Sequence, residues 1–288
     1  MTISIYKQPK EIQEAIIKDY QNNVSMRQLE INYGTTRRTI SKFLTEKGIK
    51  TTVGNHYRKY THQYDFFEKI NTEEKAYWLG FMYADGWIVD NSNKYGQNQF
   101  GISLAVEDEA HVKKFLTSLK ATNNINYDNS GLKRNQSRLA KVTLTSQKTV
   151  DDLISQGCFK KKTLILEPPK NIPENLVHHF IRGFFDGDGS IVKSSGKYFE
   201  KYGKYNYSVS FSCMEDIANW LQLYFGFGSV IKDKRKEYSY SYSIGGANCV
   251  EDFYHKLYDD ATIYLDRKYN RFQEFLIQKY GESQGTNT

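Results

Sequence analysis

The sequence predicts an α+β protein: two copies of one αββαββα unit, preceded by a small all-α domain. Three observations carry this. An apolar helix ending in an acid flanked by glycines occurs twice, as Tyr77-Trp-Leu-Gly-Phe-Met-Tyr-Ala-Asp-Gly86 and as Phe180-Ile-Arg-Gly-Phe-Phe-Asp-Gly-Asp-Gly189. The same order of strands and helices follows each copy. The first fifty residues show helical spacing and helix caps but no strand alternation.

Residues 1–50 read as three short helices. Pro9 opens the first, with Ile12, Ala15, Ile16 and Tyr20 on its apolar side. Ser25 caps a second from Met26 to about Tyr33, stopped by Gly34, and Thr35 or Thr36 caps a third running through Ile40, Phe43 and Leu44 to Gly48. A tight glycine turn between the last two matches a helix-turn-helix. Arg37, Arg38, Thr39, Ser41 and Lys42 then occupy the half of the third helix that meets base edges and phosphates. A plain helical bundle with a charged face gives the same spacing. Residues 51–72 lack a sustained period and read as a polar tether whose tyrosines, lysine and arginine could follow a nucleic-acid backbone.

The first half, 73–170, begins with a helix capped by Asn71, with Glu74 completing a capping box. Its helix is apolar nearly all round and so is expected to be buried on most sides. Strands follow at Trp87–Asp90 and Phe100–Val106, then a helix at Asp108–Leu119, a hairpin pairing about 125–127 with 138–145, and a helix at Thr149–Ser155. In the second half, 171–281, the matching elements are Ser190–Lys193, Tyr207–Cys213, Glu215–Phe225, a hairpin of Ser229–Lys232 with Tyr238–Ile244, and Cys249–Tyr258. Residues 282–288 read as a frayed tail.

Small residues four apart on each apolar helix, Gly80 with Ala84 and Gly183 with Gly187, allow two helix backbones to approach closely. The helices are expected to pack on each other, bringing Asp85 and Asp188 out side by side. Carboxylates there meet the negative ends of two helix dipoles and repel each other. A divalent cation removes both costs, and magnesium suits such oxygen ligands while keeping positions open for phosphate oxygens.

Composition narrows the class. Among 288 residues, 39% hydrophobic and 15% aromatic content excludes wholesale disorder. The formal charge of +7 favours a polyanionic partner. Cys158, Cys213 and Cys249 are scattered, so neither a zinc site nor a disulfide framework is indicated. No apolar run has membrane-spanning length and no signal-peptide pattern opens the chain, so a soluble, cytoplasmic protein is expected.

The paired stretches ending Ala84-Asp-Gly86 and Gly187-Asp-Gly189 resemble the two motifs of monomeric LAGLIDADG homing endonucleases, and the resemblance spans about Glu73 to Tyr280 in order and spacing. It implies saddle-shaped sheets lying on double-stranded DNA and metal-dependent double-strand cleavage of a long target. Asp85 and Asp188 would bind Mg2+ or Mn2+, with the carbonyls of Ala84 and Gly187 beside them. Lys162 and Lys268, with Lys161 and Arg267 as neighbours, would stand near the scissile phosphates. The sixth motif position is Asp186 in the second copy but Tyr83 in the first; in the family it is not a metal ligand. DNA would be read by Asn91, Asn93, Lys94, Gln97, Lys133, Arg134, Asn135, Gln136 and Arg138 in the first half. Lys197, Lys201, Lys204, Lys232, Lys234, Arg235 and Lys236 would do so in the second. The amino-terminal stretch from Glu11 to Ile49 is similar to the helix-turn-helix of transposases, resolvases and many repressors. A transcription regulator that has lost cleavage and an intron RNA maturase are the alternatives.

Overall fold

The computed structural model describes residues 5–22, 24–49, 51, 60–89, 98–129, 138–159, 166–233 and 238–281. Backbone contacts divide the chain into two compact units, Met1–Thr61 and His62–Thr288.

In the first unit, α1 spans Lys10–Gln21, α2 Met26–Tyr33 and α3 Arg37–Glu46. The expected caps form: Ser25 Oγ accepts from the Gln28 amide at 2.9 Å, and Thr36 Oγ1 from that of Thr39 at 3.3 Å. Gly34 closes α2 at φ 61°, a conformation costly for residues with a Cβ. The core is Ile5, Ile16, Tyr20, Leu29, Ile40, Phe43 and Leu44. Each such side chain contributes about 1.5–3 kcal/mol on burial.

The second unit begins with an arm. His62, Phe66, Phe67 and Ile70 are buried, and the Gln63 amide donates to Leu119 O at 2.8 Å. This part of the stretch expected as a tether is therefore packed, because its apolar side chains fill the first half's core. There follow α4 (Glu73–Ala84), β1 (Gly86–Val89), β2 (Gln99–Ala105), α5 (Glu109–Ser118), β3 (Asn126–Asp128), β4 (Leu139–Thr145) and α6 (Gln147–Ser155). Thr72, not Asn71, caps α4, its hydroxyl accepting from the Lys75 amide at 3.3 Å. The second half comprises α7 (Val177–Asp188), β5 (Gly189–Ser194), α8 (Gly196–Tyr202), β6 (Asn206–Cys213), α9 (Glu215–Phe225), β7 (Ser229–Lys232), β8 (Tyr240–Gly245), α10 (Ala247–Tyr258) and α11 (Asp266–Tyr280). Two elements go beyond the expected order. The short helix α8 occupies the polar stretch between β5 and β6. The fifteen-residue α11 begins at Asp266 and buries Lys268, Phe272 and Phe275.

Each half carries a four-stranded antiparallel sheet, ordered β1-β2-β4-β3 and β5-β6-β8-β7. Alternate residues point into the core: Phe100, Ile102 and Leu104 on β2, Tyr207, Val209 and Phe211 on β6. Both halves share one hydrophobic core, with α4 and α7 at its centre. None of the described helices is long and apolar enough to cross a membrane.

Candidate active site

The centre of the second unit is a backbone-to-backbone crossing of α4 and α7. A Cβ added to Gly80 would fall 2.0 Å from Phe180 O, and one added to Gly183 would fall 1.9 Å from Tyr77 O. A Cβ at Gly187 would lie 2.2 Å from the Cβ of Ala84 and 3.2 Å from the Asp85 amide nitrogen. The helices therefore remain in contact to their carboxyl ends. There Asp85 caps α4, its amide donating to Phe81 O at 3.0 Å, and Asp188 is the last residue of α7. Both acids are exposed, although Ala84 and Gly86 around the first are buried.

Two buried polar networks brace the crossing. Arg182, fully buried within α7, donates from Nε to Ile263 O at 2.9 Å and from Nη1 to Leu257 O at 2.7 Å and His179 Nδ1 at 2.9 Å. Its Nη2 donates to Glu73 Oε1 at 2.5 Å, and Glu73 also accepts from the backbone amide (2.7 Å) and hydroxyl (2.8 Å) of Thr262. The amino end of α4 is thereby tied to the second half. Asp186 is equally buried. It accepts from Tyr77 Oη at 2.7 Å, Tyr258 Oη at 3.1 Å and the Leu265 amide at 2.7 Å. Burial pushes its carboxyl up, against the opposing pull of Lys268 and these donors. Tyr77 Oη also meets His111 Nε2 at 3.0 Å, where burial, reinforced by Lys114, lowers the imidazole to about 3 and keeps it neutral.

Lys268 completes the site from α11. Its ammonium is buried and donates to Phe185 O (2.6 Å), Asp186 O (2.8 Å), Gly189 O (2.5 Å) and, more distantly, Gly187 O (3.3 Å). Asp186 and Gly187 lie in the last turn of α7, where carbonyls lose their intrahelical donors, so a cation here offsets the dipole as well. Burial lowers its pKa to about 8, with the charge of Asp186 the largest opposing influence, and Asp85 and Asp188 both act on it electrostatically. One positive charge thus stands within reach of both acids.

The sequence reading named these acids and this lysine as candidates from the family resemblance. It missed Arg182, whose place in an apolar run was itself the available signal, because a charge there must be paired. Arg267 is committed to Asp108 (2.8 Å), and Lys161 and Lys162 lie outside the described residues. So do Asn91, Asn93, Lys94, Gln97, Lys133, Arg134, Asn135, Gln136, Lys234, Arg235 and Lys236, together with the side chain of Lys197. Arg138 stacks 4.4 Å from the centre of the Tyr127 ring, Lys232 is 5.8 Å from that of Tyr240 and Lys201 4.9 Å from that of Tyr202; all three are exposed, as is Lys204. In the first unit Arg38 and Lys42 are exposed on α3, Thr39 is half-buried, and Arg37 pairs with Glu30 at 3.1 Å.

The candidate cation ligands at the joined helix ends are all oxygen: two carboxylates, with the Ala84 and Gly187 carbonyls as neighbours. That donor set fits a hard divalent ion. A different trio, His178, His179 and Asp260, also has metal-ligand spacing, with His178 Nε2 3.0 Å and His179 Nε2 3.7 Å from the carboxylate. It fits poorly. A ligating imidazole carries its proton on the other nitrogen, whereas His179 Nδ1 accepts from the Arg182 guanidinium.

Residues 175–258 match the family model of the LAGLIDADG-like domain. No curated protein sequence matches the chain. Among solved structures, the fold is similar to that of the LAGLIDADG meganuclease I-AabMI bound to uncleaved DNA, with TM-score 0.51 and 15% identity, covering 72% of this chain and 91% of that one. It is also similar to that of the LAGLIDADG homing endonuclease I-GzeII in complex with its DNA target, with TM-score 0.51 and 17% identity, covering 76% and 94%. At such identities the likeness is one of fold. The family match thus lies in the second half, and the likeness in fold to these two structures spans both halves.

Proposed function

From a chain with the LAGLIDADG fold and an acid at the end of each central helix, we propose a site-specific endonuclease that makes a metal-dependent double-strand break in a long DNA target. The observation that carries this reading is the crossing at Gly80, Gly183 and Gly187, which brings together the helix ends that bear Asp85 and Asp188. Asp85 and Asp188 would hold Mg2+ or Mn2+. The ion, when bound, would lower the pKa of water and offset charge developing on a phosphate oxygen. Lys268 fixes the end of α7 and places positive charge beside both acids, where it would favour an approaching phosphodiester. Lys162 would be its counterpart in the first half. Quasi-equivalent acids in one chain suit a monomer that cuts each strand once.

The open faces of the two sheets would lie along the duplex. The three-helix unit would lengthen the footprint through Arg38, Thr39 and Lys42 on α3, as a helix-turn-helix does. Arg37 would have to exchange Glu30 for phosphate. Titration of purified protein against a pool of duplexes containing its own locus without the gene, followed by mapping of new ends, tests the reading. Cleavage at one site in magnesium is expected, abolished in Asp85→Asn and Asp188→Asn with binding retained. Specific binding without cleavage in any divalent metal would favour a regulator instead.

A further inference from the structure

The two sheets share a topology but present unlike open faces. In the second half, one outward row is serine on all four strands: Ser190 pairs with Ser210, Ser210 with Ser243, and Ser243 with Ser229. The next row, on the side of Asp188, pairs Ser212 with Ser241 and Ser241 with Ile231. None of these side chains is buried, whereas their neighbours in sequence Val209, Phe211, Tyr242 and Ile244 fill the core. The corresponding row of the first half is Trp87, Gly101 and Thr143, and the next is Ser103, Lys141 and Asn126. Trp87 lies across Gly101, and the ammonium of Lys141 stands 4.7 Å from its ring centre.

These faces differ in what they can read. A lysine or asparagine presents a group of fixed polarity that rewards one base edge over another. A serine hydroxyl rotates, donates and accepts, and so meets any base edge. It is also short, leaving room for bridging water. Among the described residues, exposed lysines of the second half's expected DNA readers lie off the serine row, at Lys201, Lys204 and Lys232, where they can hold phosphates without reading sequence.

Resting on the DNA-cleaving reading above, we infer that target selectivity is divided unequally: the first sheet discriminates its half-site, while the serine-floored second sheet grips its half-site with little regard to sequence. The serine row across β5, β6, β8 and β7, with Ser212 and Ser241 beside it and set against Trp87 and Lys141, carries this inference. The polyanion that recognises both sheets is the same duplex, and the difference is confined to base readout.

The test is selection of the full chain on a randomised duplex library in EDTA, so that no strand is cut. One half-site should emerge strongly defined, with single base-pair changes weakening binding about tenfold or more, in the range of one good base contact. Changes over the serine rows should each alter binding less than about threefold. Ser210→Arg, at an unburied position, should leave the melting temperature unchanged. It should add a preference for guanine of about fivefold or more in the weak half-site alone, since arginine pairs with guanine at two acceptors. Equal selectivity in both half-sites, or a Ser210→Arg variant whose preferences do not change or change in the strong half-site, overturns the inference while leaving the endonuclease reading intact. No enrichment of any sequence overturns both.

Discussion

Replacing Gly183 with alanine tests the central crossing with a single methyl group. That methyl carbon would sit 1.9 Å from Tyr77 O. An ordinary carbon–oxygen contact is about 3.3 Å, so the helices must part by roughly 1.4 Å at this point. Opening a packed seam by even 0.5–1 Å forfeits about a quarter to a half of each contact's attraction. Tyr77, Phe81, Phe180 and Phe184 lie along this seam. Overpacking costs about 1–3 kcal/mol, and the upper end applies because the obstacle is backbone and cannot rotate aside. Alanine returns about 1 kcal/mol of helix propensity. The net loss is therefore about 2 kcal/mol, a fall of roughly 4–8 °C in the calorimetric melting temperature of the second unit. Gly196→Ala in α8 is the control: its Cβ would meet nothing within 4 Å, and no decrease is expected. A Gly183→Ala protein melting at or above the wild-type temperature would refute the close crossing.

Two further outcomes concern the buried networks. Arg182→Met should cost about 3–5 kcal/mol in urea denaturation, because Ile263 O and Leu257 O lose their donor and Glu73 its cation. Glu73→Gln, at a partly exposed site, should cost less than half as much; equal losses would contradict a buried guanidinium as the anchor. The second outcome is acid sensitivity through His111, whose folded pKa of about 3 lies below the ordinary 6.5. The unfolded chain binds the extra proton, so this stability is complete above pH 6.5 and is lost as pH falls toward 3. Between pH 7 and 5 the loss is about 2 kcal/mol. His111→Gln should flatten the pH dependence of the urea midpoint over that interval, and an unchanged slope would show that His111 is not held neutral.

What the sequence disclosed followed from how local each signal was. The Asp-Gly endings and the four-residue spacing of Gly80, Ala84, Gly183 and Gly187 are short-range patterns that recur, and recurrence marked the pairing of distant segments. The strand alternation of Tyr207–Cys213 and the span of α9 were readable for the same reason. The arm at His62–Ile70 was not, because Phe66, Phe67 and Ile70 have no period and are ordered by the cavity they fill. α11 hid among charges, although Lys268, Phe272 and Phe275 recur at helical spacing. The buried ammonium on the end of α7 could not be read from sequence at all, since its acceptors are backbone carbonyls some eighty residues away.

The same central crossing bears on how the chain is made. α4 is apolar on almost every side; α5 and the end of α6 cover part of it, through Phe115, His111 and Gln156, but the glycine face is covered by α7, roughly 100 residues later. At about 5–20 residues per second of synthesis, α4 leaves the ribosome about 5–20 seconds before its partner exists. During that interval the first half presents the glycine-creased face of α4 to solvent. The glycines that permit close contact in the finished protein thus mark a seam left open during translation, and a chaperone that binds apolar segments would find its binding site there.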